Sequence, residues 1–394
     1  FFRLTRPSLA LSLAKPGGIC MPNRAKPMAI QGPEAFSKEA KGGLEDGVEA
    51  KIEPPREKRR RSPRSEAVSE NMKSSHSTKR KTSFDEPSKY SNLRCIQTTL
   101  YGKAYRAIRQ DGVPVAIKIS DKTKAMGLED PVKETRLLKT LRSSSDDCPG
   151  KQHICHLLTS FTHQVNSSAL DEDGHDDQLL RIHANDTTKR STAHWSVFEW
   201  ANGGELLYFV HGIDQATAKR LFHQICQAVD FMHCNGIAHM DLSVENIIIH
   251  WPEGEAKGQP MAKIIDFGQA LEIASATSRL GRGKQRYMAP ELLEQKDADA
   301  VLADAYSLGV ILFLLVTAGT PPYDCIGDEA FNYVWHRGKQ GFSLLLRSWE
   351  KRVPPDALDL IARLICPVEK RIDVQSILNH PYLQGCDGGG QRNR

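Results

Sequence analysis

The stretch His239-Met240-Asp241-Leu242-Ser243-Val244-Glu245-Asn246 places one carboxylate, Asp241, five residues before an amide, Asn246. Asp266-Phe267-Gly268 begins twenty residues beyond Asn246, and Val115-Ala116-Ile117-Lys118 lies upstream of both. A single Asp-Phe-Gly is common by chance. The three segments together, in this order and at these separations, are far more specific, and they indicate one site assembled from distant parts of the chain.

These segments resemble the catalytic loop, the metal-binding loop and the ATP lysine of a eukaryotic protein kinase of the serine/threonine branch. The resemblance runs from about Leu93 to Leu383 and includes Met288-Ala289-Pro290-Glu291 and the closing His380-Pro381-Tyr382-Leu383. The general pattern is nearest to the calcium/calmodulin-dependent-kinase-like group. The resemblance implies an α+β, two-lobed fold, with a small antiparallel-sheet lobe that carries helix C and a larger, mainly helical lobe.

The resemblance also assigns chemical roles. Asp241 would accept or orient the substrate hydroxyl, and Asn246 and Asp266 would hold Mg²⁺ through oxygen ligands, which suit a hard cation. Lys118 would neutralise the α- and β-phosphates of ATP, held in place by Glu134. A surface ion pair is the alternative for Lys118 and Glu134, and the surrounding motifs disfavour it.

The nucleotide pocket follows from the same resemblance. Phe198 is expected to be the gatekeeper, Glu199 and Ala201 to offer backbone groups to adenine, and Glu205 to reach the ribose or a substrate arginine. The remaining expected contacts are apolar or backbone positions: Ile96, Gly102, Ala104, Ala116 and Ile248. The glycine-rich loop is degenerate, because Gln97 and Thr99 occupy its first two glycine positions and add side chains where backbone would approach phosphate.

Three departures from the family pattern carry information. Met240 stands where an arginine usually pairs with a phosphate on the activation segment. We therefore expect activity that does not depend on phosphorylation of residues 275, 277 and 278. Ser243 stands where a lysine usually meets the γ-phosphate, and Lys284 where a threonine is usual. We expect a swap, in which Lys284 supplies the charge and Ser243 the hydroxyl. The alternative is that Lys284 is a solvent-facing basic residue.

The expected function is an ATP- and Mg²⁺-dependent serine/threonine kinase, and the alternative is a pseudokinase scaffold that binds ATP weakly or not at all. Glu205 and Glu245 suggest protein substrates with basic residues upstream of the acceptor. We expect a monomer. A nucleic-acid binder is disfavoured, because only the tail is basic and it offers no aromatic platform.

Charge and composition divide the 394 residues into three parts. Residues 1–89 contain 19 Lys and Arg and 11 Asp and Glu, a net charge of +8, so the chain total of +5 leaves −3 for the remainder. We expect a disordered basic tail over 1–89. A kinase domain over 90–383 follows, with a small lobe to about residue 200 and a large lobe over about 201–383, and residues 384–394 form a short tail.

The compartment is expected to be cytoplasmic or nuclear. The nine cysteines form no CxxC pair, which disfavours a disulfide framework or a zinc site. Lys58-Arg59-Arg60-Arg61 and Lys79-Arg80-Lys81 are spaced like a bipartite nuclear signal, although a charged linker explains them equally well. Residues 1–30 lack acids, as in an organelle-targeting peptide or a translated leader. No apolar run is long enough to span a bilayer.

Periodicity predicts the main elements. Helices are expected over 131–141 and from residue 214 onward, and a buried helix over 308–318. Residues 164–193 are expected to form an exposed polar insertion. The expected strands cover residues 93–96, 102–108, 113–120, 195–200, 247–250 and 261–265.

Overall fold

The computed structural model of the chain describes residues 86–99, 101–123, 130–144, 148–170, 190–252, 258–275, 283–293 and 298–386. All of them belong to one structural unit, residues 76–394. The predictions of a targeting peptide and of the two basic clusters fall on residues outside the described ranges. So does the predicted disordered tail over 1–89, except for residues 86–89, of which Pro87–Lys89 form a 3₁₀ turn. Residues 277 and 278 and the side chain of Ser275 also lie outside the described ranges.

Five antiparallel strands form the N-terminal sheet, in the order β1-β2-β3-β5-β4. The first two strands extend beyond their predicted bounds and the fifth begins earlier than predicted, because their terminal residues still find backbone partners on the neighbouring strand. The third strand is displaced by one residue from the predicted 113–120, and the fourth had no predicted bounds. The hairpin between β2 and β3 turns at Asp111 and Gly112, as predicted, and Gly112 adopts a φ of 85°. The strands are β1 (Tyr90–Thr99), β2 (Gly102–Arg109), β3 (Pro114–Asp121), β4 (Leu157–Asn166) and β5 (Arg190–Glu199).

Helix α1 (Pro131–Ser143) packs against this sheet. It begins where the Asp130 side chain accepts a hydrogen bond from the backbone N–H of Val132, with Pro131 in the first turn. Its buried face includes Leu137, Leu138 and Leu141 together with one acid, Glu134. Burial of a carboxylate among leucines requires a charged partner, and the active site supplies it.

The insertion is shorter than predicted. Residues 164–166 and 190–193 belong to β4 and β5, where Gln164 pairs with Thr192 and Val165 with Ser191. These strand ends are polar, so they lack the apolar alternation that marks a strand in sequence, but Val165 and Ala193 are fully buried. A single 3₁₀ turn covers Ser167–Leu170. Residues 171–189 lie outside the described ranges.

The C-terminal part is built around α4 (Ala300–Val316), which is buried along nearly its whole length. The apolar run predicted as a buried helix is the C-terminal part of this helix. None of the described helices is long and apolar enough to cross a membrane. The other helices are α2 (Gln215–Cys234), α3 (Pro290–Leu293), α5 (Glu329–Ser348), α6 (Pro355–Leu364) and α7 (Val374–Leu378).

Short strands frame the segment between the two parts. β6 (Gly204–Glu205), β8 (Ile247–His250) and β9 (Met261–Ile264) form one small sheet, and β7 (Ile237–Ala238) pairs with β10 (Leu271–Glu272). β8 begins directly after Asn246, and β9 ends two residues before Asp266. The predicted two-lobed α+β fold is confirmed.

The ion pair between Glu291 and Arg371, expected from the resemblance, is present and its guanidinium is fully buried. The same guanidinium lies 4.9 Å from the ring of Tyr306 in α4, and it also donates to the carbonyls of Leu302 and Cys366. The pair therefore fixes α3 and the segment before α7 against the central helix.

Gly102 is required by the packing between strands β2 and β3. A Cβ atom at this position would lie 1.9 Å from the Ile119 carbonyl oxygen. We expect Gly102→Ala to lower the free energy of unfolding by about 1–3 kcal/mol, the usual cost of overpacking. Urea denaturation would measure it. Gly212→Ala is the matched control, because nothing lies within 4 Å of its Cβ position. Equal stability of the two variants would contradict this explanation.

Candidate active site

Lys118 of β3 is the centre of the site. Its ammonium lies 3.0 Å from Glu134 Oε2 and 2.7 Å from Asp266 Oδ1. Glu134 comes from α1 and Asp266 from the loop after β9, so one cation joins three elements. Burial alone would lower the pKa of Lys118, but the two carboxylates hold it well above its ordinary value. The ammonium form of Lys118 is therefore favoured in the folded protein.

Asp266 is held ionised by the same contact. Burial would raise its pKa, but the Lys118 ammonium lowers the pKa to about 2. Its backbone is left-handed, with a φ of 62°, and its carboxylate also accepts a hydrogen bond from the Gly268 N–H. Glu134 Oε1 accepts from the Phe267 N–H at 3.2 Å, which ties α1 to the Asp-Phe-Gly segment a second time.

Asp304 of α4 shapes the catalytic loop. Its fully buried carboxylate accepts hydrogen bonds from the backbone N–H groups of His239 and Met240, both at 2.8 Å, and lies 2.9 Å from His233 Nε2. Met240 needs this support, because its φ of 65° is unusual for a residue with a side chain. The His239 ring lies 5.0 Å from the Phe267 ring, so the loop also packs on the Asp-Phe-Gly segment.

Asn246 fixes the orientation of Asp241. Its amide nitrogen donates to the Asp241 backbone oxygen at 2.7 Å and to Asp241 Oδ2 at 2.9 Å. Because the nitrogen is used in this way, the amide oxygen of Asn246 is left to act as a ligand. Together with the Asp266 carboxylate it provides the hard oxygen donors that Mg²⁺ prefers. The residues therefore fit the expected cation.

No cluster of three His, Cys, Asp or Glu side chains able to hold a metal exists in the described ranges. A magnesium ion at this site would depend on phosphate oxygens and water for its other ligands. This is the usual condition for Mg²⁺ at nucleotide sites, where one or two protein ligands suffice.

Lys284 brings the activation segment onto the catalytic loop. Its backbone N–H donates to Asp241 Oδ1 at 3.0 Å, and its ammonium lies 3.3 Å from Asp241 Oδ2 and 2.9 Å from Ser243 Oγ. The approach requires Gly283, which has a φ of 90° and whose Cβ would lie 2.6 Å from the Met240 carbonyl oxygen. The two residues named in the expected swap are thus in direct contact.

A cavity of about 140 Å³ opens beside Lys118. Of the expected nucleotide contacts, Ala104, Ala116, Phe198 and Asp266 line it together with Lys118 and Glu134. Gln97 and Thr99, the side chains at the eroded glycine positions, also line it. Sequence reasoning did not assign to the pocket four further lining residues: Ile117, Cys155, Ile265 and Phe267. Cys155, two residues before β4, belongs to no motif, and only the folded chain places it in the lining of the pocket.

The other expected contacts, Ile96, Gly102, Glu199, Ala201, Glu205 and Ile248, are not among the residues that line this cavity. Ile96 lies at an irregularity in the pairing of β1 with β2, between Cys95 and Gln97, and its side chain is 53% exposed. A bulge of this kind changes the alternation of side chains along the strand, so Ile96 remains a predicted nucleotide contact whose side chain is exposed in this structure.

Glu199 directs its side chain away from the pocket. Its Oε1 lies 2.8 Å from Lys263 Nζ of β9 and accepts a hydrogen bond from the His156 N–H at 3.0 Å. Burial would raise the pKa of Glu199, but Lys263 lowers it below the ordinary value. These contacts join the end of β5 to β9. They therefore stabilise the segment that connects the N-terminal sheet to the helical C-terminal part.

Two carboxylates, Glu205 and Glu245, lie near each other and near Lys284. Burial, and then the negative charge of Glu245, raise the pKa of Glu205. Glu245 Oε2 is buried and has no hydrogen-bond partner in the part of the chain that the structure describes. The Glu245 carboxylate also forms a hydrogen bond with the Tyr287 side chain.

Comparison with known proteins agrees with this geometry. The family model for the protein kinase domain matches residues 90–383. This chain belongs to the protein kinase domain family. The match spans both parts of the fold and every residue of the site described above.

Individual relatives are similar over shorter stretches. CBL-interacting protein kinase 20 of Oryza sativa subsp. japonica is 34% identical over 203 residues, which cover 48% of this chain and 40% of the relative. Serine/threonine-protein kinase chk1 of Schizosaccharomyces pombe is 32% identical over 210 residues, covering 51% and 40%. Calcium/calmodulin-dependent protein kinase type 1 of Macrobrachium nipponense is 29% identical over 276 residues, covering 69% and 67%. The chain thus spans about two fifths of the rice and fission yeast relatives.

Met240 is buried, with 5% of its surface exposed, and packs in the same apolar cluster as Leu242, Tyr287, Met288 and Leu292. An arginine here would bury an unpaired guanidinium. We expect Met240→Arg to lower the free energy of unfolding by about 3–5 kcal/mol. Met240→Leu, which nearly conserves volume, should cost less than about 1.5 kcal/mol. Chemical denaturation of both variants provides the measurement, and an arginine variant as stable as the leucine variant would refute the assignment.

Proposed function

We propose that this chain is an ATP- and Mg²⁺-dependent protein kinase that transfers the γ-phosphoryl group to serine or threonine hydroxyls of protein substrates. The observation that carries the proposal is the double ion pair of Lys118 with Glu134 and Asp266, next to an Asp241 whose two oxygens are both held. The names of the relatives, which include a serine/threonine-protein kinase, support the acceptor class.

Each residue of the site would contribute to positioning or to electrostatic stabilisation, the two effects that dominate the catalysis of phosphoryl transfer. Asp241 would accept the proton of the substrate hydroxyl, and its hydrogen bonds to Asn246 and Lys284 aim its carboxylate. Lys118 would bind phosphate oxygens of ATP. When bound at Asn246 and Asp266, Mg²⁺ would neutralise phosphate charge.

Lys284 would replace the missing lysine of the catalytic loop. Its ammonium lies at Ser243, the position from which that lysine normally acts, and its backbone is anchored on Asp241. A unit charge about 4 Å from a phosphate is worth on the order of 4 kcal/mol at an effective dielectric constant of 20, and less where water screens it. The alternative, a solvent-facing basic residue, does not account for the three contacts.

A pseudokinase scaffold is the second candidate, because Gln97 and Thr99 line the pocket where glycines would leave room for phosphate. The side chains fill space and remove backbone freedom from the loop. The test of both candidates is transfer from γ-labelled ATP, with Mg²⁺, to Ser-, Thr- and Tyr-containing peptides, with Asp241→Asn as the control. We expect label on Ser or Thr that disappears in the variant. ATP binding without transfer would favour the scaffold.

The role of Lys284 is tested by Lys284→Ala. We expect kcat to fall at least about tenfold with little change in ATP affinity, because a charge near the transferred phosphate is lost. Lys284→Arg keeps the charge and should retain more activity. The matched control is Lys339→Ala, which removes an exposed lysine that pairs with Asp359. Unchanged turnover of Lys284→Ala would eliminate the swap.

Substrate preference is tested at Glu205. We propose that Glu205 and Glu245 bind arginines upstream of the acceptor, so Glu205→Gln should raise KM for arginine-containing peptides at least about tenfold, given about 1.5–3 kcal/mol for a charged hydrogen bond. The raised pKa of Glu205 means that it protonates at a higher pH than an ordinary glutamate. Acidification should therefore raise KM for arginine-containing peptides more steeply in the wild type than in the variant, which keeps only Glu245. A KM ratio between arginine-containing and arginine-free peptides that is independent of pH and of the substitution would contradict this.

A further inference from the structure

Helix α1 must keep one orientation for the buried Glu134 carboxylate to reach Lys118. Three of its side chains form hydrogen bonds with the N-terminal sheet: Thr135 with His194 Nε2, Lys139 with Ser160 Oγ and Arg142 with the Leu157 carbonyl oxygen. These contacts attach α1 to the sheet. The position of α1 relative to the catalytic loop depends on its contacts with the C-terminal part of the fold.

Arg136 makes such a contact on the solvent side of α1. Its Nη2 lies 3.2 Å from Oε1 of Glu272 in β10. Arg136 follows Glu134 by two positions, which is about 200° around an α-helix, so the two side chains leave α1 on different sides. Glu134 is buried, whereas 62% of the Arg136 side chain is exposed. The ion pair is therefore separate from the Lys118 site, although both involve α1.

The other partner of this ion pair belongs to a strand beside the catalytic loop. β10 pairs with β7, and Glu272 lies opposite Ile237. Ile237 and Ala238 are buried, and His239 of the catalytic loop follows them directly. The backbone of Glu272 is therefore fixed relative to the catalytic loop, and its carboxylate offers α1 an attachment to that part of the fold.

A helix that is held on two sides resists rotation about its axis. A rotation of α1 that withdraws Glu134 from Lys118 would also separate Arg136 from Glu272, so the ion pair opposes this rotation. An exposed pair of this kind changes an equilibrium by about 1.4- to 5-fold, and salt screens it. The pair can therefore adjust the orientation of α1 without determining the fold.

We propose that Arg136 and Glu272 are positioning residues, whose ion pair holds α1 in the orientation in which Glu134 pairs with Lys118 and so strengthens nucleotide binding. The inference rests on the proposed function and adds two residues to it. Neither residue lines the nucleotide cavity, so both act through Glu134.

Exchange of the two charges tests the proposal. Calorimetry with ADP and Mg²⁺ measures nucleotide affinity without phosphoryl transfer. Arg136→Glu places two acids together and Glu272→Arg two bases, so each should raise the Kd for ADP about threefold. The double variant restores an ion pair of opposite direction and should bind ADP within about 1.5-fold of the wild type.

A second set of variants tests whether the ion pair acts through Glu134. Glu134→Gln removes the charge but keeps an oxygen that can accept from the Phe267 N–H. In Glu134→Gln protein, Arg136→Glu should change the Kd for ADP by less than about 1.5-fold, because the carboxylate that the orientation of α1 brings to Lys118 is already absent. Circular dichroism confirms that each variant is folded.

The matched control is Arg109→Glu. It breaks another exposed ion pair of the sheet, 2.7 Å long, with Asp111 in the β2–β3 hairpin, and should leave the Kd for ADP unchanged. Salt provides a further control. The effect of Arg136→Glu should nearly disappear in about 1 M NaCl, where the Debye length is about 3 Å.

Three results would overturn the inference. They are an unchanged Kd in both single variants, a double variant no better than the single ones, or an equal effect of Arg136→Glu with and without Glu134. A failure of the proposed function is distinguishable, since the wild type would then bind ADP with these effects intact but transfer no phosphate from ATP to peptides. No binding of ADP by the wild type would overturn both.

Discussion

The ammonium of Lys118 connects parts of the molecule that the sequence keeps far apart. Glu134 is buried on a helix otherwise covered with leucines, and Asp266 lies in a left-handed turn, so neither carboxylate would be stable in its place without a cation between them. The ion pairs fix α1 against the sheet and against the Asp-Phe-Gly segment. The pocket, the expected metal ligands and the orientation of α1 therefore depend on one contact.

Asp304 imposes a second constraint, on the backbone of the catalytic loop. Its buried carboxylate holds the backbone of His239 and Met240, so the catalytic loop is attached to the most deeply buried helix of the fold. Gly283 and Lys284 lie against this loop, where the Lys284 backbone and ammonium contact Asp241 and the ammonium contacts Ser243. The side chain of Met240 is buried in the neighbouring apolar cluster.

Several features could be predicted from sequence because they are local or carried by strict spacing. The helix over α1, the hairpin at Asp111 and Gly112, and the pairing of Lys118 with Glu134 all follow from short patterns. The contact of Lys284 with Ser243 was predictable only because the sequence departs from the family pattern at both positions. The ends of β4 and β5 were missed, since their polar residues give no alternation, and the irregularity of β1 beside Ile96 has no signal in the composition.

The sequence by itself determined the fold class, the order of the motifs and the chemistry of the ionisable residues, since these depend on residue types and on spacings along the chain. The tertiary structure decided which side chains line the pocket, among them Cys155 and Ile265. It decided as well that the Glu199 side chain contacts Lys263. It also decided that Glu245 keeps a buried oxygen without a partner among the described residues. Such facts depend on packing between elements distant in sequence, and a linear pattern does not record which atoms the folded chain brings within a hydrogen bond of each other.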